Sequence, residues 1–218
     1  MSSGLFITFE GGEGAGKTTQ ARKLNEYLEG KGFEVVLTRE PGGTPEAEKI
    51  RDLLVQRDSG NWTPITECVL FFAARQMHIE TLIKPALADG KIVICDRFTD
   101  STRAYQGHGR DFDLEKIEAI NNLVIDNFEP DLTLIFDLPV EEGLKRSLAQ
   151  KARASGLEST EDKFEKLDRD FHEKMRQGYL TIAKENAHRC SVIDAGRSPD
   201  EISPDIIAIV ESRLRDAV

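Results

Sequence analysis

Short apolar runs alternate with longer amphipathic stretches along the chain. The apolar runs cover Leu5–Phe9, Val35–Thr38, Lys91–Cys95, Leu132–Phe136 and Ser191–Ile193. Because they are short and apolar on both faces, they predict strands of a covered parallel sheet. Helical periodicity occurs at about 18–30, 45–57, 65–88, 114–127, 141–151, 163–187 and 200–215. This alternation predicts a single α/β domain over residues 1–218, with ligands bound above the carboxyl ends of the strands.

One polar segment breaks this rhythm. Residues Lys151–Glu161 contain Gly156 and separate two predicted helices. A polar, glycine-containing connection of this kind predicts a mobile lid at about 151–162. Its basic residues Lys151 and Arg153, with Lys163 just beyond, are candidates to close over phosphates. The alternative is that they are solvated surface charges.

The segment after the first predicted strand carries the strongest chemical signal. Residues 11–18 read GGEGAGKT and match G-x-x-x-x-G-K-[ST], with a strand before and a helix after. The candidate nucleotide-binding residues are Gly11, Gly12, Glu13, Gly14, Ala15, Gly16, Lys17, Thr18 and Thr19. Backbone N–H groups of such a loop surround phosphates, its lysine reaches the β- and γ-phosphates, and its threonine hydroxyl holds Mg²⁺. The sequence therefore predicts a nucleoside triphosphate site, against the alternative of a plain glycine-rich turn.

Composition limits the partners. The chain of 218 residues has a net charge of −10, which argues against nucleic acid or an anionic membrane as the main partner. No signal peptide or membrane span is recognisable, so we expect a cytoplasmic protein. The three cysteines fit neither a disulfide framework nor a zinc site. The four histidines lack metal-ligand spacing, and we expect them on the surface.

Two strand ends supply candidates for a second phosphate site. Arg39 follows the second predicted strand, where a guanidinium can bind phosphate bidentately or simply be solvated in a turn. Asp96 and Arg97 end the third, and with Arg103 and Arg110 they predict a phosphate clamp. Asp96 is also a candidate Mg²⁺ ligand, with a structural ion pair to Arg97 as the alternative.

The predicted helix 65–88 supplies a candidate base-binding pair. Phe71 and Arg75 are four residues apart and share a face, on which a ring could stack on a planar base beside a guanidinium. Core packing is the alternative for Phe71. A second stripe, with Val69, Phe72 and Ile79, is expected in the core.

Five segments together resemble the bacterial thymidylate kinases. They are FEGGEGAGKTTQ at 9–20, REPGGT at 39–44, LFFAAR at 70–75, DRFTDSTRAYQG at 96–107 and PDLTL at 130–134. The resemblance extends over about residues 3–213. It implies a three-layer α/β/α P-loop nucleoside-monophosphate-kinase fold with a five-stranded parallel sheet. It also implies transfer of the ATP γ-phosphate to dTMP with Mg²⁺, giving dTDP and ADP in dTTP synthesis, by a homodimer.

The resemblance implies roles for individual residues. Glu13 would contact the sugar region of dTMP, and Arg39 and Arg97 would hold its phosphate. Phe71 would stack on thymine, Arg75 would reach a thymine carbonyl, Thr102 and Gln106 would lie near the polar edge of the base, and Tyr105 would exclude a ribose. The catalytic residues would be Lys17, Asp96, Arg97 and a lid cation, and the metal ligands Thr18 and Asp96. The family's lid often ends in Asp-Arg-Phe-Glu, whereas this chain has DKFE at 162–165, so both Arg153 and Lys163 remain candidates for the lid cation.

Other functions remain possible from the sequence. The chain could be a kinase for another nucleotide or small phosphoryl acceptor, or, in another class, a nucleotide switch or cofactor-binding module. A 2′-excluding Tyr105 argues against a uridylate or cytidylate kinase. The second arginine-lined site argues against a switch. At the loop 39–44 we also expect a cis Glu40–Pro41 bond.

Overall fold

The computed structural model describes residues 4–55, 60–153 and 167–216, with only the backbone for 151–153 and 216. Five parallel strands form one sheet in the order β2-β3-β1-β4-β5. They are β1 Leu5–Gly11, β2 Val35–Arg39, β3 Ile92–Asp96, β4 Leu132–Asp137 and β5 Cys190–Asp194. The five-stranded parallel sheet predicted above is confirmed.

Helices cover both faces of the sheet. They are α1 Lys17–Gly30, α2 Pro45–Val55, α3 Pro64–His78, α4 Lys84–Ala88, α5 Thr99–Thr102, α6 Leu114–Ile125, α7 Val140–Arg153, α8 Arg169–Glu185 and α9 Pro199–Asp216. Two π-helical segments join neighbouring helices: Ile79–Ile83 connects α3 to α4, and Arg103–Gly109 follows α5. The sequence patterns predicted neither the π-helical segments nor α5.

The core lies on both sides of β1, because successive side chains of a strand point to opposite faces. Ile7 and Phe9 pack with residues of α1 and α9 such as Leu24 and Ile206. Phe6 packs on the other face with α3, α4 and α6, and its ring meets Phe98 edge to face at 5.0 Å. The result is the predicted α/β/α arrangement of three layers.

The edge strands differ from the prediction of strands apolar on both faces and covered. Leu37 in β2 is 41% exposed and Val192 in β5 is 49% exposed, and these two strands form the edges of the sheet. Val69 on α3 is also exposed rather than in the core, whereas Phe72 and Ile79 are buried as predicted. Helix α3 therefore presents part of its apolar surface outward.

The outer ends of the predicted elements lie within two residues of the observed ends, except at the start of α8. Helix α8 begins at Arg169, where Asp168 caps it by accepting a hydrogen bond from Phe171 N at 2.8 Å. The pattern predicted a start at 163, and residues 163–166 lie outside the described part of the chain, as does most of the predicted lid. No helix within the described ranges is long and apolar enough to cross a membrane.

Candidate active site

The loop between β1 and α1 wraps around its own lysine. Gly14 and Gly16 have positive φ angles of 68° and 88°, which residues with a side chain rarely adopt. Lys17 Nζ donates to the carbonyl oxygens of Gly11 at 3.0 Å and Gly12 at 2.7 Å. A Cβ on Gly14 would lie 2.1 Å from the carbonyl oxygen of Gly143 in α7, so glycine is required there by contact as well as by conformation.

Lys17 is buried beside other charges. Burial and the nearby charge of Arg97 lower the pKa of Lys17 to about 8, although Asp96, Glu13 and Glu10 act in the opposite direction. Removal from water strengthens the interaction of a charged group with an anion. The loop therefore offers a buried cation to the phosphates of a ligand. Thr19, also a predicted nucleotide-binding residue, is exposed on the first turn of α1.

Two candidate metal ligands meet where α1 begins beside the end of β3. Thr18 Oγ1, in the first turn of α1, donates to Asp96 Oδ2 at the end of β3, at 2.6 Å. A hydroxyl and a carboxylate are hard oxygen ligands of the kind that Mg²⁺ prefers. The two residues therefore suit a magnesium ion by their chemistry.

Arg97 lies at the centre of the site. Its φ of 75° is unusual for a residue with a side chain, and its N–H donates to Phe9 O at 2.9 Å. Its Nη1 donates to Gly11 O, Ser101 Oγ and Tyr179 OH at 3.2–3.3 Å, and its Nη2 pairs with Glu13 at 3.3 Å. Backbone strain of this kind costs about 1–3 kcal/mol and is found where function requires it. The ion pair of Arg97 is with Glu13, so the alternative of an Asp96–Arg97 structural pair is wrong.

Glu13 connects the loop to the neighbouring helices. It accepts a short hydrogen bond from Tyr105 OH, and its other oxygen lies 3.7 Å from His172 Nδ1. Burial would raise the pKa of Glu13, but the charges of Arg97 and Lys17 outweigh it and hold this pKa below its usual value. Glu13 is therefore ionised at neutral pH.

A cavity of about 250 Å³ opens beside this centre. Its walls include the predicted site residues Glu13, Thr18, Arg39, Phe71, Arg75, Asp96, Arg97, Thr102, Tyr105 and Gln106. They come from the phosphate-binding loop and the start of α1, from the ends of β2 and β3, from α3 and from the segment after β3, so the fold brings together residues spread over nearly a hundred positions. The cavity is lined mainly by apolar surface, as small-molecule sites commonly are.

The base-binding candidates Phe71 and Arg75 both line the cavity. Phe71 is half-buried, and Arg75 is 2% exposed with its Nε donating to Glu40 Oε2 at 2.7 Å. Arg75 Nη2 donates to Phe98 O and Thr102 Oγ1. Among the described residues, none accepts a hydrogen bond from Arg75 Nη1, although that atom is buried. This nitrogen is suited to a ligand acceptor.

Arg39 occupies the more open side of the cavity. Its side chain is 55% exposed and lies 3.2 Å from Glu48 in α2. Because the pair with Glu48 is exposed, Arg39 can turn from Glu48 to an anion in the cavity without losing a buried contact.

The peptide bond between Glu40 and Pro41 in the following loop is cis, which confirms the prediction made from the sequence.

Two of the arginines predicted to join the clamp do not. Arg103 pairs with Asp100 and Glu118, at 2.8 and 2.7 Å, and Arg110 lies 3.3 Å from Glu67. Neither arginine lines the cavity, and the carboxylates with which they pair lie outside it. The prediction of a clamp containing Arg103 and Arg110 was wrong.

The sequence analysis also did not predict that two histidines and a carboxylate are buried beside the site. His78 and His172 are buried rather than on the surface, and His78 bridges Glu40 Oε1 at 3.0 Å and Thr38 Oγ1 at 2.8 Å. Glu10 is fully buried at the end of β1 and accepts from Phe98 N and Ser101 Oγ. The sequence did carry a signal for Glu10: it is a charged residue directly after the apolar run Leu5–Phe9 and directly before the phosphate-binding loop.

Glu10 predicts a measurable dependence of stability on pH. Burial, and then the charge of Asp100, raise the pKa of Glu10 to about 7, against the lowering effects of Ser101, Arg97 and Phe98 N. The folded state thus holds a proton on Glu10 that an unfolded carboxyl releases near pH 4.5. The resulting stabilisation is complete below about pH 4.5 and is lost as the pH rises through about 7, by at most about 3 kcal/mol.

We therefore expect the stability of the Glu10→Gln variant, relative to that of the wild type, to increase as the pH rises. Urea unfolding of both proteins at pH 5 and pH 8 measures the difference between their free energies of unfolding. This difference should shift in favour of the variant at pH 8. A difference that is the same at both pH values would show that Glu10 does not titrate in this range.

The fold and the site together define a P-loop nucleotide kinase, in which a phosphate-binding loop and a second, arginine-lined cavity share one edge of the sheet. The thymidylate kinase family model matches residues 9–206. A thymidylate kinase from Caulobacter vibrioides is 49% identical, over 98% of this chain and 99% of its own length. One from Geotalea daltonii is 48% identical, over 97% and 98%. The crystal structure of a thymidylate kinase from Ehrlichia chaffeensis matches with a TM-score of 0.76 and 38% identity, over 96% of this chain and 99% of that one. The chain belongs to the thymidylate kinase family.

Proposed function

We propose that this chain carries out the reaction of its family, transfer of the γ-phosphate of ATP to dTMP, with the residues of the described site. The observation that carries the proposal is that the phosphate-binding loop and the cavity meet at Arg97, which lines the cavity and donates a hydrogen bond to Gly11 of the loop. A donor and an acceptor bound on either side would bring their phosphates together there. Such positioning, with electrostatic stabilisation, is most of what phosphoryl transfer requires.

On the donor side, the loop Gly11–Thr19 binds the ATP phosphates and Lys17 neutralises charge on the transferring group. Thr18 and Asp96 would hold Mg²⁺, whose contribution is to neutralise charge on the phosphate oxygens. The hydrogen bond between these two side chains supports a shared role. Lys17, Asp96 and Arg97 are the catalytic residues of this proposal.

On the acceptor side, Arg39 and Arg97 hold the phosphate of dTMP. Phe71 stacks on the thymine ring, and Arg75 donates to a thymine carbonyl through the nitrogen that the protein leaves without an acceptor. Glu13 lies at the sugar, and Tyr105, which is hydrogen-bonded to Glu13, excludes a 2′-hydroxyl. Thr102 is turned toward Arg75, so its effect on the base is exerted through that arginine.

A coupled assay of ADP release tests this function. ATP is supplied with dTMP, dUMP, dCMP, dGMP or UMP in turn, and ATP alone gives the background. We expect turnover with dTMP to exceed ATP hydrolysis by orders of magnitude and UMP to be a poor substrate. ATP binding without stimulation by any of these monophosphates would contradict the kinase function.

The lid remains a proposal. Arg153 ends α7, and its side chain lies outside the described residues, as does all of Lys163. If a lid cation acts mainly in the transition state, replacing it with alanine should lower kcat about a hundredfold or more and change the KM for dTMP little. Both Arg153→Ala and Lys163→Ala are measured at saturating ATP, with Lys145→Ala, on the exposed side of α7, as control. A variant that keeps full kcat identifies a solvated charge, and two such variants would exclude a catalytic lid cation.

We also propose that the chain forms a homodimer, as the resemblance to the bacterial enzymes implies. Helices α2, α3 and α6 pack side by side. They carry Leu53, Ile65, Val69 and Leu123 at 47%, 48%, 49% and 85% exposure. A surface of this kind is typical of an interface between subunits. We expect light scattering to give a dimer for the wild type and a monomer for Val69→Glu with Leu123→Glu, and a dimeric double variant would exclude this surface.

A cytoplasmic location stays a prediction from the sequence.

A further inference from the structure

Gln106 lines the cavity, and its side-chain amide is held by a buried carboxylate. It is 1% exposed, lies in the π-helical segment Arg103–Gly109, and lines the cavity with Phe71 and Arg75. Its Nε2 donates to Glu67 Oε2 at 3.3 Å. An amide has a donor end and an acceptor end. Because one N–H of the amide bonds to Glu67, the nitrogen faces Glu67 and the carbonyl oxygen faces away from it, where it is available to a ligand.

Glu67 fixes this orientation because a carboxylate can only accept hydrogen bonds. It lies one helical turn before Phe71 and two before Arg75 on α3, is fully buried, and has the guanidinium of Arg110 3.3 Å from its Oε2. The reversed amide would place two acceptor oxygens against each other in the interior, with a hydrogen bond lost. Arg110 balances the charge of Glu67 in this position.

The resulting pair of groups has a defined hydrogen-bonding polarity. Arg75 offers only donors, and Gln106 offers its carbonyl oxygen. Thymine presents the matching pattern, an acceptor at O4 beside a donor at N3–H. Cytosine presents a donor at its amino group beside an acceptor at N3, so its donor would face the donors of Arg75 and its acceptor would face the carbonyl oxygen of Gln106. Guanine has the same polarity as thymine along one edge, and it is the size of the cavity that would exclude it.

We propose that Glu67 is a specificity-determining, positioning residue: by orienting the amide of Gln106, it makes the cavity accept an oxo-pyrimidine with an N3–H and reject cytosine. This inference rests on the proposed function, since it takes dTMP as the acceptor. Glu67 itself does not line the cavity. Its replacement therefore acts on selection of the base without removing a substrate contact.

The test is the Glu67→Gln variant, whose amide can face Gln106 with either end and so permits both orientations. Values of kcat/KM are measured for dTMP and dCMP, with direct binding of both nucleotides by calorimetry. We expect the preference for dTMP over dCMP to fall by about tenfold to a hundredfold. The KM for dTMP should rise more than kcat falls, because the affected contact is made in the ground state as well. Glu118→Gln is the matched control: it likewise removes a carboxylate paired with an arginine, here Arg103, but away from the cavity, and it should leave the preference unchanged.

A second variant covers the case in which Glu67→Gln does not fold. Gln106→Met replaces the amide with an apolar side chain of similar length, and it should lower the preference for dTMP by a comparable factor. In the Gln106→Met background, Glu67→Gln should then change the preference no further. An unchanged preference in either single variant would overturn the inference while leaving the kinase function intact. A wild type that phosphorylates neither nucleotide would overturn both.

Discussion

Replacing Lys17 with alanine should lower kcat by about a hundredfold to a thousandfold. This is the effect of losing one preorganised group that stabilises charge in a transition state, about 3–4 kcal/mol. Lys17 is suited to that role because it is buried, contacts the loop carbonyls of Gly11 and Gly12, and is close to Asp96 and Arg97. Steady-state rates at saturating ATP and dTMP measure the change.

The control is Lys23→Ala in the same helix. Lys23 pairs on the surface with Asp200 of α9, whose side chain is 89% exposed. An exposed pair of this kind contributes about 0–1 kcal/mol to stability and has no part in the site. We expect near-wild-type kcat for Lys23→Ala. A Lys17→Ala enzyme within tenfold of the wild type would show that Lys17 does not act on the phosphates.

Replacing Arg97 should have the second large effect. Arg97→Lys keeps the charge but loses the planar fork that joins Gly11, Ser101 and Glu13, and we expect kcat/KM for dTMP to fall by about ten- to a hundredfold. Arg97→Met removes the charge as well and leaves the ionised Glu13 without its partner. For this variant we expect a fall of more than about a hundredfold, accompanied by a lower stability.

Arg103→Lys is the matched control for Arg97→Lys. Arg103 follows the same strand and was predicted from the sequence to join the same clamp, but it pairs with Asp100 and Glu118 instead. Kinetics with varied dTMP should therefore be close to wild type for Arg103→Lys once folding has been checked by circular dichroism. Equal losses in the two lysine variants would contradict the central position of Arg97.

The layered fold was predictable because a buried parallel strand is a continuous apolar run. The runs at Leu5–Phe9 and Leu132–Phe136 lie within observed strands that extend one or two residues further. The edge strands were less predictable, since exposure of Leu37 and Val192 depends on which strand has one neighbour. The π-helical segment Arg103–Gly109 was missed because its geometry follows from contacts with α8 rather than from a local pattern.

The phosphate-binding loop was predictable because all of its determinants are contiguous. The groups that orient the arginines and amides were not, because their partners are distant in sequence. Glu40 holds Arg75 across 35 residues, and Glu67 holds Gln106 across 39. Residue type alone likewise could not show that Arg103 and Arg110 turn toward carboxylates instead of the cavity. Those pairings depend on the packing of the segment after β3 against α3 and α6.

The most direct test of this account is to follow the transferred phosphate itself. The protein is incubated with Mg²⁺, dTMP and ATP labelled with ³²P at the γ-position, and the products are separated by chromatography. The account predicts that the label moves into dTDP in step with formation of ADP, and that Lys17→Ala slows this transfer. Label released as inorganic phosphate, or remaining in ATP while dTMP is bound, would contradict it.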